Sequence, residues 1–220
     1  MTIRLPDPCL VVLVGAAGAG KSTWARGWFP APSIVSWDDL RATVGAHRHD
    51  LWASADALDV LVLIVAKRLA RGLLTVVDST ALDGDVRRRF RTLAEAAGVP
   101  CHAVLVDTPD RECRARNRSR PDAVPSSLVT KQLRSVATAI ASIDAGEGFD
   151  GVHRASDEPV SPPRCSAHRR PPGDRRKIRW NCASDCRSAG SPGRAPRRRR
   201  PTGWRRSPAG PRRSASRRSR

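Results

Sequence analysis

The sequence predicts an α/β domain in which a parallel sheet is covered by helices on both faces, followed by a disordered basic tail. Continuous apolar runs of strand length recur along residues 1–155, and amphipathic runs of helical length separate them. Strands that alternate with helices favour a parallel sheet, because a helix returns the chain between parallel neighbours. Residues 156–220 are rich in Arg, Pro and Ser and carry too little apolar surface for a core.

The apolar runs define five predicted strands: Cys9–Val14, Ser33–Ser36, Leu73–Asp78, Cys101–Asp107 and a short one at Gly151–Arg154. Six helices are predicted: Ser22–Phe29, Asp38–Val44, Ser54–Arg71, Asp83–Ala97, Asp110–Arg118 and Ser126–Ile143. Ser54 fits a helix N-cap, Gly72 a helix stop and Pro125 a helix start. In such a sheet, ligands gather at the carboxyl ends of the strands.

The net charge of +19 is unevenly distributed along the chain. Residues 1–150 hold 19 Lys and Arg against 17 Asp and Glu, whereas residues 151–220 hold 21 against 4. The first part therefore has the charge balance of an ordinary folded domain, while the second is a polycation.

No apolar segment reaches the roughly 20 residues that a membrane-spanning helix needs, and the N-terminus does not resemble a cleavable signal peptide. Cys9, Cys101 and Cys113 fall in or beside predicted core elements, and the three cysteines of the tail lack zinc-site spacing. We expect a cytoplasmic protein without disulfides and without a membrane partner.

A glycine-rich segment directly follows the first strand and precedes the first helix. It matches G-x-x-x-x-G-K-[ST], whose backbone N–H groups and helix N-terminus cradle phosphates. Lys21 is expected at the β and γ phosphates of ATP, and the Ser22 hydroxyl at Mg²⁺. The alternative is a glycine-rich turn with no ligand. The expected nucleotide-binding residues are Gly15, Ala16, Ala17, Gly18, Ala19, Gly20, Lys21, Ser22 and Thr23.

Two further strand ends carry carboxylates. Asp38 follows the second strand, where it can accept a proton from an attacking hydroxyl, and Arg41 follows three residues later, where it suits an acceptor that carries a phosphate. Asp78 ends the third strand, where it can hold Mg²⁺ or its water shell. In the alternative interpretations, Asp38 and Asp78 merely cap the segments that follow, and Arg41 is solvated.

An arginine cluster occupies residues 111–120, with Arg116 and Arg120 toward its end. Arginines that close over ATP neutralise charge on the transferred phosphoryl group. A charge run of this kind is also typical of a solvated helix face, and the local sequence does not decide between the two.

The order of these motifs resembles that of bacterial polynucleotide 5′-hydroxyl kinase domains. The resemblance covers about residues 8–154 and rests on GxxxxGKSTxA, DDxR, VVDST, CHAVLVD and RNxxR in that order. It places the chain among AAA-type P-loop ATPases and kinases and implies a P-loop kinase core like that of adenylate kinase. Residues 46–53, AHRHDLWA, do not match the family pattern.

The resemblance implies a role for each matching residue. Lys21 and Ser22 correspond to the phosphate-binding lysine and the Mg²⁺-binding hydroxyl, and Asp78 to the acidic residue of the third motif. Asp38 corresponds to the base that activates the acceptor 5′-OH, and Arg41 to the arginine that contacts the acceptor's 3′ phosphate. The lid arginines over ATP correspond to Arg116 and Arg120.

Three functions are compatible with this pattern. The first is ATP- and Mg²⁺-dependent transfer to a polynucleotide 5′-OH, and the second is transfer to a small hydroxylated molecule or nucleotide on the same core. The third is a non-catalytic nucleic-acid-binding ATPase dominated by the basic tail.

The tail itself has two interpretations. It can be a cationic arm that binds nucleic acid by counterion release, with Trp180 and Trp204 stacking on bases. Its basic residues are almost all Arg, however, as in the whole chain, where 36 of 40 are Arg. That bias is typical of GC-rich coding DNA, so we hypothesise a frameshift or read-through somewhere after Val152. Resequencing the locus tests this.

Overall fold

The computed structural model describes residues 3–155 and 160–161. Its strands are β1 (Ile3–Arg4), β2 (Leu10–Val14), β3 (Ile34–Ser36), β4 (Thr75–Asp78), β5 (Cys101–Leu105), β6 (Gly151–Arg154) and β7 (Val160–Ser161). Its α-helices are α1 (Lys21–Trp28), α2 (Trp37–Val44), α3 (Ser54–Leu69), α4 (Gly84–Ala96), α5 (Asp110–Arg118) and α6 (Ser126–Asp144). The rest of the predicted tail, residues 156–159 and 162–220, lies outside the described residues.

Five strands form one parallel sheet in the order β3-β4-β2-β5-β6, and β1 pairs with β7 separately. The glycine-rich segment leaves the sheet at the carboxyl end of β2, between β4 and β5. The connection that leaves β2 contains α1, which packs on one face of the sheet, whereas the connection that leaves the neighbouring β5 contains α6, which packs on the other face. This divergence opens a crevice outside the strand ends. All five residues of β2 are at most 1% exposed, because helices cover both faces of the strand.

Helices pack on both faces of the sheet, as the alternating pattern predicts. On one face Leu61 of α3, Phe90 of α4 and Ile143 of α6 join a single apolar cluster with β2 and β5. On the other face Ala25 of α1 and the adjoining Phe29 pack against β2. The predicted α/β fold with a covered parallel sheet is confirmed.

Most predicted element bounds agree with the structure to within a few residues, and the differences have local causes. Ser54 is the first residue of α3 and not its N-cap, because Ala53 occupies the cap position. Gly72 adopts a φ of +65° and donates its N–H to the Leu69 carbonyl, which ends α3 two residues earlier than predicted. No helix in residues 3–155 is both long and apolar enough to cross a bilayer.

Candidate active site

Close packing against neighbouring elements explains the glycines of the phosphate loop. A Cβ on Gly15 would lie 2.6 Å from the Val106 carbonyl oxygen at the end of β5. Gly18 has a φ of +82°, and a Cβ there would collide with the Cys113 carbonyl of α5. The loop therefore needs glycine at these two positions for its fit to the protein, in addition to any ligand.

Lys21 lies over the loop that it follows. Its side chain is 8% exposed, and Nζ donates to the carbonyls of Gly15 at 3.0 Å and Ala16 at 2.9 Å. Burial lowers the pKa of Lys21 below its ordinary value, and the carboxylates of Asp78 and Asp38 oppose that shift. A phosphate entering here meets a cation already held at the loop.

The nine predicted loop residues do not all face the same way. Ala16 and Ala19 are 2% and 3% exposed and pack into the apolar cluster of α5 and α6, while Thr23 is exposed on α1. Five loop residues line a cavity of about 440 Å³ at the carboxyl end of the sheet: Ala17, Gly18, Gly20, Lys21 and Ser22.

Polar side chains from distant parts of the chain fix the shape of the loop. Gln132 of α6 accepts a hydrogen bond from the Ala17 N–H at 2.9 Å, and Thr108 Oγ1 donates to the Ala19 carbonyl at 2.8 Å. Neither residue is predicted from the sequence, because nothing in the local pattern distinguishes a polar side chain that meets the loop from one in solvent.

Asp78, Ser22 and Ser79 form the candidate metal side of the cavity. Asp78 is 7% exposed at the end of β4. Its burial raises the pKa of the carboxyl group, against an opposing hydrogen bond from Ser22 and the charge of Lys21. Ser79 Oγ is buried without a hydrogen-bond partner among the described residues.

This oxygen-rich group fits Mg²⁺. The ion takes few protein ligands and completes its octahedron with water and substrate phosphates, so a hydroxyl and one carboxylate suffice. No group of three or more His, Cys, Asp or Glu side chains able to hold a metal occurs within the described part of the chain.

Asp38 and Arg41 lie on α2 and line the same cavity. Ser36 is the N-cap of this helix, since its Oγ accepts from the Asp39 N–H at 3.2 Å. The alternative that Asp38 is the cap is therefore wrong. Asp38 instead forms a hydrogen-bonded ion pair with Arg41, and Arg41 Nε also donates to the Arg48 carbonyl at 2.9 Å.

The two arginines of the lid segment differ in position. Arg120 lines the cavity. Arg116 is not among the lining residues; it pairs with Glu112 at 2.8 Å and reaches the Ala19 carbonyl at 3.4 Å. The structure thus brings Arg120, Lys21, Ser22, Asp38, Arg41 and Asp78 to one cavity, whereas Arg116 contacts the loop at the Ala19 carbonyl.

Buried polar contacts order the segment that carries Arg120. Asn117 is 4% exposed, donates from Nδ2 to the Val124 carbonyl at 2.8 Å and accepts from the Val124 N–H at 3.1 Å. The neighbouring Asp122 carbonyl lies 2.7 Å from Nε2 of His49 in the α2–α3 connection. The two segments therefore touch across the mouth of the cavity.

Several solved structures align with this chain at low sequence identity. A kinase candidate from Chloroflexus aurantiacus aligns with a TM-score of 0.51 and 15% identity, over 70% of this chain and 90% of that chain. For the Pnkp1/Rnl/Hen1 RNA repair complex the values are 0.49 and 21%, over 63% of this chain but only 47% of that one. The Mycobacterium tuberculosis APS kinase CysC, in complex with AMPPNP and APS, gives 0.41 and 22%, over 73% and 86%.

A family model matches a larger part of the sequence than any single motif does. The model describes an AAA domain and matches residues 10–141, from the start of β2 to near the end of α6. This span is more than half of the chain and contains the phosphate loop, Asp38, Asp78 and both lid arginines. The chain belongs to the AAA domain family, with a P-loop kinase-like α/β fold.

Proposed function

We propose that this protein transfers the γ-phosphoryl group of ATP to the 5′-hydroxyl of a polynucleotide. One observation carries the proposal: the loop lysine and the Asp38–Arg41 pair line the same cavity. A phosphate-binding loop alone serves any nucleotide hydrolase. A carboxylate that is held by an arginine in the same cavity as the loop can act as the base for transfer to a hydroxyl.

On the donor side, the residues of this chain bind and orient the triphosphate. Backbone N–H groups of the loop and the N-terminus of α1 hold the β phosphate, and Lys21 exchanges its two carbonyl contacts for phosphate oxygens. Ser22 and Asp78 would hold Mg²⁺, which would supply neutralisation of the charge on the β and γ phosphates. Arg120 adds charge neutralisation from the lid side.

On the acceptor side, Asp38 accepts the proton of the attacking hydroxyl. The hydroxyl oxygen forms a bond to the γ phosphorus while the bond to the β–γ bridging oxygen breaks, and ADP leaves with that electron pair. Arg41 holds the carboxylate in place and offers its guanidinium group to a phosphate of the acceptor. Most of the catalysis is therefore positioning and charge neutralisation.

The test of this proposal is Asp38→Asn, with Asp39→Asn as the matched control. Asp39 is the next residue of α2, but it is exposed and pairs with Arg48 outside the cavity. We expect Asp38→Asn to lower labelled-phosphate transfer to a 5′-hydroxyl oligonucleotide by about 10²–10⁴-fold while ATP affinity is retained. Unchanged turnover in that variant, or an equal loss in the control, would contradict the assignment.

A small hydroxylated acceptor is the second candidate. A cavity of about 440 Å³ lies within the size range of small-molecule sites, and that observation favours it. Transfer to a metabolite panel in the absence of transfer to 5′-hydroxyl oligonucleotides would select this candidate over the first.

We further propose that residues 1–155 form the kinase domain and that the basic segment beyond it is dispensable for transfer. A chain that ends after residue 161 keeps the strand β7 that pairs with β1. Full transfer activity in this shortened chain supports the division, whereas loss of oligonucleotide binding together with transfer favours the ATPase interpretation.

A further inference from the structure

The connection between α2 and α3 concentrates exposed apolar surface at the mouth of the cavity. Trp52 is 97% exposed and Leu51 56% exposed, and Val44 at the end of α2 is 40% exposed. These three belong to only five large apolar side chains that are exposed in the described part of the chain. Tryptophan is normally among the more buried side chains, and clustered exposed apolar groups mark binding surfaces.

Trp52 is exposed although hydrogen bonds hold its backbone in place. Asp50 accepts hydrogen bonds from the N–H groups of Ala46 at 3.0 Å and Trp52 at 3.1 Å, and its own N–H donates to the His47 carbonyl at 3.0 Å. The backbone hydrogen bonds, the one from Ala46 foremost, hold the pKa of Asp50 below its ordinary value. The loop thus fixes the backbone of Trp52 at a defined place.

The backbone of Trp52 lies next to residues that line the cavity with Asp38. Leu51 and Ser54, which flank Trp52 in the sequence, both line the cavity that contains Asp38. Arg41, the partner of Asp38, donates to the Arg48 carbonyl and so ties the same loop to α2. An acceptor whose hydroxyl lies at Asp38 therefore has this loop among its neighbours in the cavity.

The surroundings of Trp52 suit a nucleic acid more than an uncharged ligand. The cavity that Leu51 lines is also lined by Arg41, His47, His49 and Arg120. Cationic groups that follow a phosphate backbone, combined with an aromatic ring for the bases, are the usual construction of single-strand binding sites.

We infer that Trp52 is a stacking platform for the base of the 5′-terminal nucleotide of the acceptor. This inference rests on the proposed function and specifies its acceptor: a single-stranded 5′ end whose first base is unpaired and lies on the indole ring. The contact uses the face of the base, so it is independent of base identity. Trp52 then acts in acceptor binding and not in the transfer step.

The test compares two acceptors and three variants of the full-length protein. One acceptor is a short single-stranded 5′-hydroxyl oligonucleotide, and the other is the same strand with an abasic 5′-terminal nucleotide. The variants are Trp52→Ala, Trp52→Phe, which keeps an aromatic face, and Leu63→Ala as the control. Leu63 is 56% exposed on α3 and does not line the cavity.

We expect Trp52→Ala to raise the KM for the ordinary oligonucleotide by about five- to 150-fold, the range for loss of one base–aromatic stack. The KM for ATP should not change, and the abasic acceptor should show no difference between Trp52→Ala and the unaltered protein. Trp52→Phe and Leu63→Ala should stay within about twofold for the ordinary acceptor. Equal KM values for Trp52→Ala and the unaltered protein, or an equal effect on both acceptors, overturn the inference.

A binding measurement separates this inference from the proposed function. Fluorescence anisotropy of the same two strands, labelled at the 3′ end, reports affinity without any transfer. If transfer is absent but affinity depends on both Trp52 and the terminal base, the kinase proposal fails and the platform is supported. If transfer occurs but neither measurement depends on Trp52, the platform is wrong and the kinase proposal stands. If the ordinary and the abasic strand bind with equal affinity to the unaltered protein and to Trp52→Ala, the inference about Trp52 is wrong.

Discussion

The two sides of the cavity are built in different ways. The phosphate loop follows a fully buried strand in the centre of the sheet, and side chains from α6 and the β5–α5 connection hold its backbone. We call this part of the cavity lining the donor side. The acceptor side consists of the two-turn helix α2 and the connection to α3, which carry Asp38, Arg41 and the exposed Trp52.

The difference in construction follows the difference in ligand, because under the proposed function the donor side binds a triphosphate and the acceptor side binds one particular acceptor. A triphosphate is recognised mainly through backbone N–H groups and one lysine, so a rigid loop on the sheet suffices. An acceptor is recognised through side chains, and a surface connection can change these without disturbing the core. Variants on the donor side should therefore lower transfer to any acceptor without changing acceptor affinity, and variants in acceptor-binding side chains should change acceptor affinity without changing the affinity for ATP.

Lys21→Ala is expected to have the largest effect and to be confined to the donor side. Loss of a charge positioned at the transferred phosphoryl group should lower transfer by about 10³-fold. The affinity for the oligonucleotide should stay the same, because Lys21 is buried at the loop. Steady-state transfer and oligonucleotide anisotropy measure the two effects, and an equal loss in both would break the distinction between the sides.

Two arginine variants compare a guanidinium group inside the cavity with one outside it. Arg120→Ala removes a side chain that lines the cavity, and Arg116→Ala removes one that does not. We expect Arg120→Ala to lower kcat by about 10²-fold, as for removal of one charge-stabilising donor. Arg116→Ala should lower kcat much less, because the Arg116 guanidinium contacts Glu112 and the Ala19 carbonyl and does not line the cavity. If Arg116→Ala lowers kcat more than Arg120→Ala does, Arg116 and not Arg120 is the arginine that neutralises charge on ATP.

Gly18→Ala tests whether packing against α5 shapes the donor side. Gly98→Ala is its matched control, since Gly98 also has a positive φ, +64°, but a Cβ there meets nothing within 4 Å. The control should lose about 1 kcal/mol of the free energy of unfolding from backbone strain alone. Gly18→Ala should lose about 1–3 kcal/mol more from the clash with Cys113, and its KM for ATP should rise. Chemical denaturation of both variants provides the comparison, and equal losses would refute the role of packing.

Glu147→Gln should have the smallest effect on activity and a pH-dependent effect on stability. The buried Arg87 donates from Nε to Glu147 at 2.7 Å and from Nη1 to the Ala81 carbonyl at 2.8 Å, which braces the segment after Asp78. The hydrogen bonds from Arg87 lower the pKa of Glu147 below its ordinary value of 4.5. The carboxylate therefore stabilises the fold above its unfolded-state pKa, and this stabilisation is lost as the pH falls through the lower folded-state pKa.

At neutral pH the Glu147→Gln variant should lose about 1–3 kcal/mol, and the difference from the unaltered protein should vanish in acid. Urea titrations at several pH values measure it, with the exposed Glu95→Gln as control. A difference that does not depend on pH would show that charge is not its source. Any change in KM should concern ATP, because the braced segment belongs to the donor side.

Much of the donor side can be predicted from the amino-acid sequence alone. The run Cys9–Val14 followed by the glycine motif specifies a strand, a loop and a helix start within a short stretch, and local chemistry determines all three. The same kind of signal, a carboxylate directly after a buried strand, predicts Asp78. Strand ends in a parallel sheet meet at one edge, so the sequence also implies that these residues lie near each other.

The acceptor side is less predictable. Spacing alone is compatible with Asp38 as either a cap or a base, and the position of Ser36 in the structure excludes the cap. Residues 46–53 have no pattern to match, and that stretch carries the most exposed large apolar side chain described. A loop is shaped by contacts such as His49 with Asp122, which are 73 residues apart and invisible to local periodicity.

The sequence by itself determined the fold class, the phosphate loop and the carboxylates at the strand ends, because these follow from hydrophobic periodicity and from motifs a few residues long. Only the tertiary structure decided which side chains share the cavity. It places Arg120 but not Arg116 among the lining residues, brings Gln132 to the loop from 115 residues away, and exposes Trp52 next to Leu51, which lines the cavity. The physical reason is that backbone patterns are local, whereas a cavity is formed by side chains that meet only after the helices have packed on the sheet.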